Sequence, residues 1–197
     1  MFIESTPCQL NTTPASFPHP PEAAVSAYGM PTAAPTEWLP GKTLHLVDVE
    51  NLLCGSRFCT EAAVAALHRG YRQLAGCVDQ DRVILATGSS AAEAGAWFGW
   101  PGQPRRLVRS GLDGADRELL GVLEELTIED RFHRVVLASG DGIFAAPCAA
   151  LQARGVHVTV VAANSVALSR RLRAAAIDIR FLNADLGTVD YDPRLAA

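Results

Sequence analysis

Three short stretches carry the residues best suited to chemistry. In Leu44-His45-Leu46-Val47-Asp48-Val49-Glu50-Asn51 an apolar run leads straight into a carboxylate. Gly111-Leu112-Asp113-Gly114-Ala115-Asp116 sets its acids between glycines, and Ser139-Gly140-Asp141-Gly142 follows the apolar stretch 134–138. An ionised Asp is costly to bury, so Asp48 belongs at the mouth of its strand, within reach of water or a cation. Carboxylates gathered at one place repel and raise one another's pKa unless a cation sits between them. Mg²⁺ or Mn²⁺ suits such a site, because hard cations take oxygen ligands and keep several waters. Neighbouring glycines let the backbone bend closely around an ion or a phosphate. The chain has a single lysine, Lys42, so cationic partners for these acids are few. Each acid also has a local use: Asp48 and Asp141 as helix caps or turn residues, Asp113 and Asp116 as an N-cap and a first-turn acid.

Strands and helices must bring these stretches together. Leu44–Asp48 reads as a strand buried on both faces. A helix follows, with Thr60 as N-cap and Val64, Leu67, Tyr71 and Leu74 on one stripe. Residues 82–87 form the second strand and 89–100 an Ala-rich helix stopped by Pro101-Gly102. Residues 105–109 make a charged third strand suited to a sheet edge. Residues 116–126 form a helix burying Leu119, Leu120, Leu123 and Leu126. Strand four covers 134–138, a helix 143–154 ends at Gly155, strand five covers 156–161, the last helix 165–176 and the last strand 177–182. This alternation predicts an α/β fold: a doubly wound, mostly parallel sheet of five to six strands with helices on both faces. In a parallel sheet all carboxyl ends open on one edge. With strand order 3-2-1-4-5, Asp48 and Asp141 face each other across the crevice at the reversal point.

Composition sets the outer limits. Apolar residues make up 49% of 197, enough for a full core, and charged residues only 19%. A net charge of −4 gives no global attraction to nucleic acid or membrane, so any polyanion needs a local patch. No run reaches the ~18 apolar residues of a membrane span, and the N-terminus lacks the basic and apolar regions of a signal peptide. Five cysteines (Cys8, Cys54, Cys59, Cys77, Cys148) form no CxxC pair, which fits reduced thiols in a cytoplasmic protein and argues against zinc. The scattered histidines, His45 among them, read as structural. Residues 1–40 hold eight of the twelve prolines and no Lys or Arg, the composition of a disordered leader. The domain is expected over 41–185, with a short tail at 186–197.

The motifs, in their order and spacing, resemble the NYN domains of the PIN-like nuclease superfamily. Asp48, Asn51 and Leu52 match the family pattern Asp-x-x-Asn-Leu. Ser139, Gly140, Asp141 and Phe144 match Ser-Gly-Asp-x-Asp-Phe, with Ile143 in place of the second Asp. The Asp116 loop lies between them, and the resemblance covers about residues 43–182. It implies a PIN-like fold and metal-dependent cleavage of RNA phosphodiester bonds. Asp48, Asp116 and Asp141 would hold Mg²⁺ or Mn²⁺ directly or through water, with Asn51, Ser139 and Asp113 in support.

An RNA substrate calls for cations along its backbone. Arg109 lies nearest the acid edge on strand three. Asn164 and Ser165 stand at the start of the last helix, which carries Arg170, and could receive a phosphate there. Alternatively, Arg109 pairs with Asp113 and the helix arginines form a solvated face. Trp97, Phe98 and Trp100 suit core or subunit packing, a homodimer included, ahead of base stacking. With Ile143 removing one carboxylate, the rival to a cutting enzyme is an NYN fold that binds RNA or a protein without cleaving. A nucleotide-binding module is weaker, because no Gly-rich phosphate loop follows strand one.

Overall fold

The computed structural model describes residues 42–182 apart from Leu112 and Leu126, so the leader, the tail and Cys8 lie outside the described residues. Runs of four to six residues, mostly apolar in the four inner strands, form β1 (Thr43–Asp48), β2 (Arg82–Thr87), β3 (Arg105–Val108), β4 (Arg134–Ala138), β5 (His157–Ala162) and β6 (Asp178–Phe181). They pair in one sheet, β3-β2-β1-β4-β5-β6, and every pairing is parallel. The expected order 3-2-1-4-5 is present and β6 extends it. All six residues of β1 are buried, as its central place requires. β3, charged and half-exposed, is one edge strand, and β6 is the other.

Helices cover both faces. On one lie α1 (Val49–Leu52), α2 (Glu61–Ala75) and α3 (Ser90–Gly99), which pack Val64, Leu67, Tyr71, Ala92 and Trp100 around Val47, Leu85 and Val136. On the other lie α4 (Gly114–Glu125), α5 (Ile128–Arg131), α6 (Ala145–Ala153) and α7 (Arg170–Ala175). There Leu119, Phe144, Leu151 and Leu172 enclose Leu44, Leu46, Leu137 and Val160. Thr60 caps α2 as its sequence predicts, accepting from the Ala63 amide at 3.2 Å, and Gly76 closes it with a left-handed φ of 67°. In α4, Leu119 and Val122 are buried, whereas Leu120 and Leu123 are only half-buried.

The largest departures from expectation are at two helix starts and in two short helices. Residues 142–144 form a 3-10 turn before α6 rather than its first turn. α7 starts at Arg170, with Ser169 as N-cap, and not at Ser165. α1 and α5 are single turns of four residues, too short to show a helical period in sequence. Among the described residues, no helix is long and apolar enough to cross a membrane, and Cys54, Cys59, Cys77 and Cys148 are free thiols.

Candidate active site

The carboxyl ends of β1 and β4 lie side by side at the point where the strand order reverses, and the acids converge there. Asp48 is the last residue of β1 and the N-cap of α1, its Oδ1 accepting from the Asn51 amide at 3.0 Å. Capping thus occupies one oxygen and leaves the other for the crevice. Asp48 is 4% exposed and Asp116, in the first turn of α4, is 8% exposed. Their carboxyls lie within hydrogen-bonding reach of each other, and Asp116 Oδ1 is buried without a partner.

Burial raises the Asp48 pKa; the Asn51 amide opposes this, and the charges of Asp116 and Glu50 add to it. Burial raises Asp116 as well, with Asp141 and then Asp113 adding repulsion. The pair therefore holds a proton that two isolated carboxylates would have lost. None of the ion pairs among the described residues includes Asp48, Glu50, Asp113, Asp116 or Asp141.

Asp141 reaches the same edge from β4. Its amide donates to Ser139 Oγ at 3.2 Å, and its Oδ1 accepts from the Ile143 amide at 2.9 Å. Asn51 joins the two segments: its Oδ1 accepts from the Gly140 amide at 2.8 Å, so one side chain sets the spacing between Asp48 and Asp141. A Cβ at Gly140 would overlap the Ala167 carbonyl oxygen, and the Gly140 carbonyl accepts from the Ser169 amide at 2.8 Å. Gly140→Ala is therefore expected to lower stability by about 1–3 kcal/mol and to disturb Asp141. A melting temperature equal to that of the native chain would show that the loop yields at no cost.

The other expected residues fall into place unevenly. Asp113 stands exposed in a left-handed turn (φ 56°) before α4. Arg109 pairs with Glu118 at 3.6 Å and not with Asp113. Asn164 Oδ1 accepts from the Val166 and Ala167 amides at 2.9 and 2.8 Å, which folds the turn before α7. Ser165 presents its carbonyl to Arg173 at 3.1 Å. Because α7 begins at Arg170, Asn164 and Ser165 lie in the turn before it and not at a helix N-terminus. Arg170 and Arg171 are both exposed, and the Arg171 Cβ lies 3.7 Å from where a Cβ at Gly142 would be. Trp100 belongs to the core, edge-on to His68, whereas Trp97 and Phe98 are exposed.

A family model for the NYN domain matches residues 45–183. The chain belongs to the NYN domain family. Among curated proteins none matches. The NYN domain carries its Asp-x-x-Asn and Ser-Gly-Asp segments on β1–α1 and after β4, where they meet through the Asn51–Gly140 hydrogen bond. Its crevice fits a hard divalent cation on this structure's own terms: buried acids, no ion pair to them among the described residues, and an orphaned Asp116 oxygen.

A second group of donors lies at the opposite end of β1 in the NYN domain. His45, Cys77 and Asp81 bring their ligand atoms within 4.8 Å of one another, the one such trio among the described residues. By that measure the crevice acids are more widely spread, which suits an ion held partly through water. The spacing of cysteines in sequence gave no sign of this trio. Its atoms are already engaged: His45 Nδ1 meets Tyr71 Oη at 2.7 Å and Nε2 meets Asp81 Oδ2 at 3.3 Å. Asp81 also accepts from the Thr43 and Val78 amides at 3.2 and 3.0 Å. Burial lowers His45 to about 4 and raises Cys77 to about 11, so both are neutral. The trio is a polar network tying the α2–β2 turn to β1.

Proposed function

We propose that this NYN domain is a Mg²⁺- or Mn²⁺-dependent ribonuclease that hydrolyses RNA phosphodiester bonds at the acidic crevice. The observation that carries the reading is the pair of buried carboxyls, Asp48 and Asp116, which lie against each other with no ion pair to either among the described residues and one oxygen unpartnered. Asp48 and Asp116 would hold the ion, and Asp141 would hold its waters. When bound, the ion supplies an activated water and offsets charge building on the scissile phosphate. Asn51 keeps the two sides of the crevice at fixed spacing, and Ser139 orients the Asp141 backbone. Asp113 adds negative charge at the rim. Arg109 and Arg170 are proposed to meet flanking phosphates. The four free thiols fit a cytoplasmic setting.

Incubation of the full chain with single-stranded and structured RNAs, with Mn²⁺ and with chelator, tests the reading. Slow cleavage that chelation stops is the expected result, with Ile143→Asp at least as fast. If the native chain and Ile143→Asp are both inert on every RNA, the protein is not a nuclease. Ile143, 44% exposed where the family pattern has an acid, favours as the second reading a module that binds RNA without cutting. Tight RNA binding by an inert protein would establish that alternative.

Residues 1–40 are proposed to lie outside the folded unit. A chain starting at Gly41 is expected to melt at the temperature of the full chain, and a clear drop would show that the leader contributes to the fold.

A further inference from the structure

Glu50 is the one acid of the Asp48-Val49-Glu50-Asn51 stretch to which the sequence gave no role. It is the second residue of α1, and the turn begun at Asp48 carries it toward the end of β2. There Ser89 Oγ donates to its Oε1 at 2.6 Å, a short, charge-assisted bond that fixes the carboxylate. Its Oε2 lies 3.0 Å from where a Cβ at Gly88 would be, and the Ala115 amide lies 3.6 Å from that same point. The carboxylate thus sits between the loop after β2 and the first turn of α4, which carries Asp116.

Glu50 lies near enough to Asp48 for its charge to act there, and no ion pair among the described residues neutralises it. A half-buried carboxylate held only as a structural anchor gains nothing from a position beside two buried acids, where repulsion is costly. The orphaned Asp116 oxygen, on a side chain more than nine-tenths buried, marks the same crevice as built for something positive. On the β4 side the chain has Ile143, half-exposed and unable to coordinate.

We propose that Glu50 is the fourth carboxylate of the crevice, taking a divalent cation or its bound waters from the β2 side of Asp48 in place of the acid absent at Ile143. The proposal rests on reading the crevice as a cation site. It shifts the acidic wall from the β4 loop to the β2 loop, so cation and scissile phosphate approach over Gly88 and Ser89. Gly88 then has a defined task, since a side chain there would displace Glu50 Oε2.

Calorimetric titration of the full chain with Mn²⁺ alone tests this. Glu50→Gln keeps an oxygen for the Ser89 hydrogen bond and removes only charge, so an anchor would be unaffected. Mn²⁺ affinity is expected to fall about 10-fold or more in Glu50→Gln, with the metal-free melting temperature unchanged or higher. Gly88→Ala, which keeps the charge but moves it, is expected to weaken binding in the same direction. If Glu50→Gln binds Mn²⁺ like the native chain while Asp48→Asn does not, Glu50 is an anchor and the crevice reading stands without it. If Asp48→Asn also binds normally, the crevice is not the cation site and both readings fall.

Discussion

Asp48→Asn is expected to reduce Mn²⁺-dependent RNA cleavage about 100-fold or more while leaving the metal-free protein at least as stable as the native chain. Even groups that only orient a metal's ligands contribute 10- to 100-fold, and Asp48 is proposed to hold the ion itself. The stability half follows from the local geometry. Asn caps a helix as well as Asp does, so its Oδ1 can keep the hydrogen bond from the Asn51 amide. Its Nδ2 faces Asp116 and donates where the native pair relies on a shared proton. The substitution therefore leaves one carboxylate beside an amide donor, with no charge on residue 48 to repel it, and keeps the cap. Single-turnover cleavage and thermal melting with chelator measure the two halves. A strongly destabilised Asp48→Asn with unchanged cleavage would make Asp48 a structural residue only.

The second large effect is a pair of opposed pH dependences in the metal-free protein. Burial lowers His45 from 6.5 to about 4, so between those values the unfolded chain takes up a proton that the folded chain refuses. The unfolded state binds more protons, so this contribution to stability is complete above pH 6.5 and lost as the pH falls toward 4. The lowering corresponds to about 3 kcal/mol. His68 and His157, also lowered chiefly by burial, act in the same direction. Asp48 and Asp116 do the opposite: their folded pKa values lie above the usual 3.8, so the folded state holds more protons. Their contribution is complete below pH 3.8 and is lost as the pH rises through the raised values.

Thermal melts between pH 4 and 8 separate the two. The native chain is expected to show a shallow profile, because the slopes cancel in part. Asp48→Asn exposes the histidine slope, with stability rising over pH 4–6.5. His45→Gln exposes the carboxylate slope, with stability falling as pH rises. Saturating Mn²⁺ should flatten that fall, since a bound cation replaces the proton. Parallel profiles in native chain and variants would show that neither group titrates as its burial requires.

The course of the chain was legible in its sequence because strands and helices obey local rules. Apolar runs placed β1, β2 and β4 within a residue, Thr60 marked the start of α2, and the alternation of elements implied the parallel sheet with its carboxyl edge. From that alone Asp48 and Asp141 had to share an edge. Only the tertiary structure decided which atoms meet. Asn51 and Gly140 are 89 positions apart and Ser89 and Glu50 39 apart, and no local period encodes either contact. Asp48 touches Asp116 because α4 packs on the same face of the sheet, with Leu119 against Leu44 and Leu46. The start of α7 shows the same division. Asn164, Ser165 and Ser169 can all cap a helix, and sequence cannot rank them. Asn164 spends its oxygen on the Val166 and Ala167 amides, while the Ser169 amide is drawn to the Gly140 carbonyl and Leu172 is pulled into the core. Propensity offers several places to begin a helix, and burial against a distant strand loop selects one.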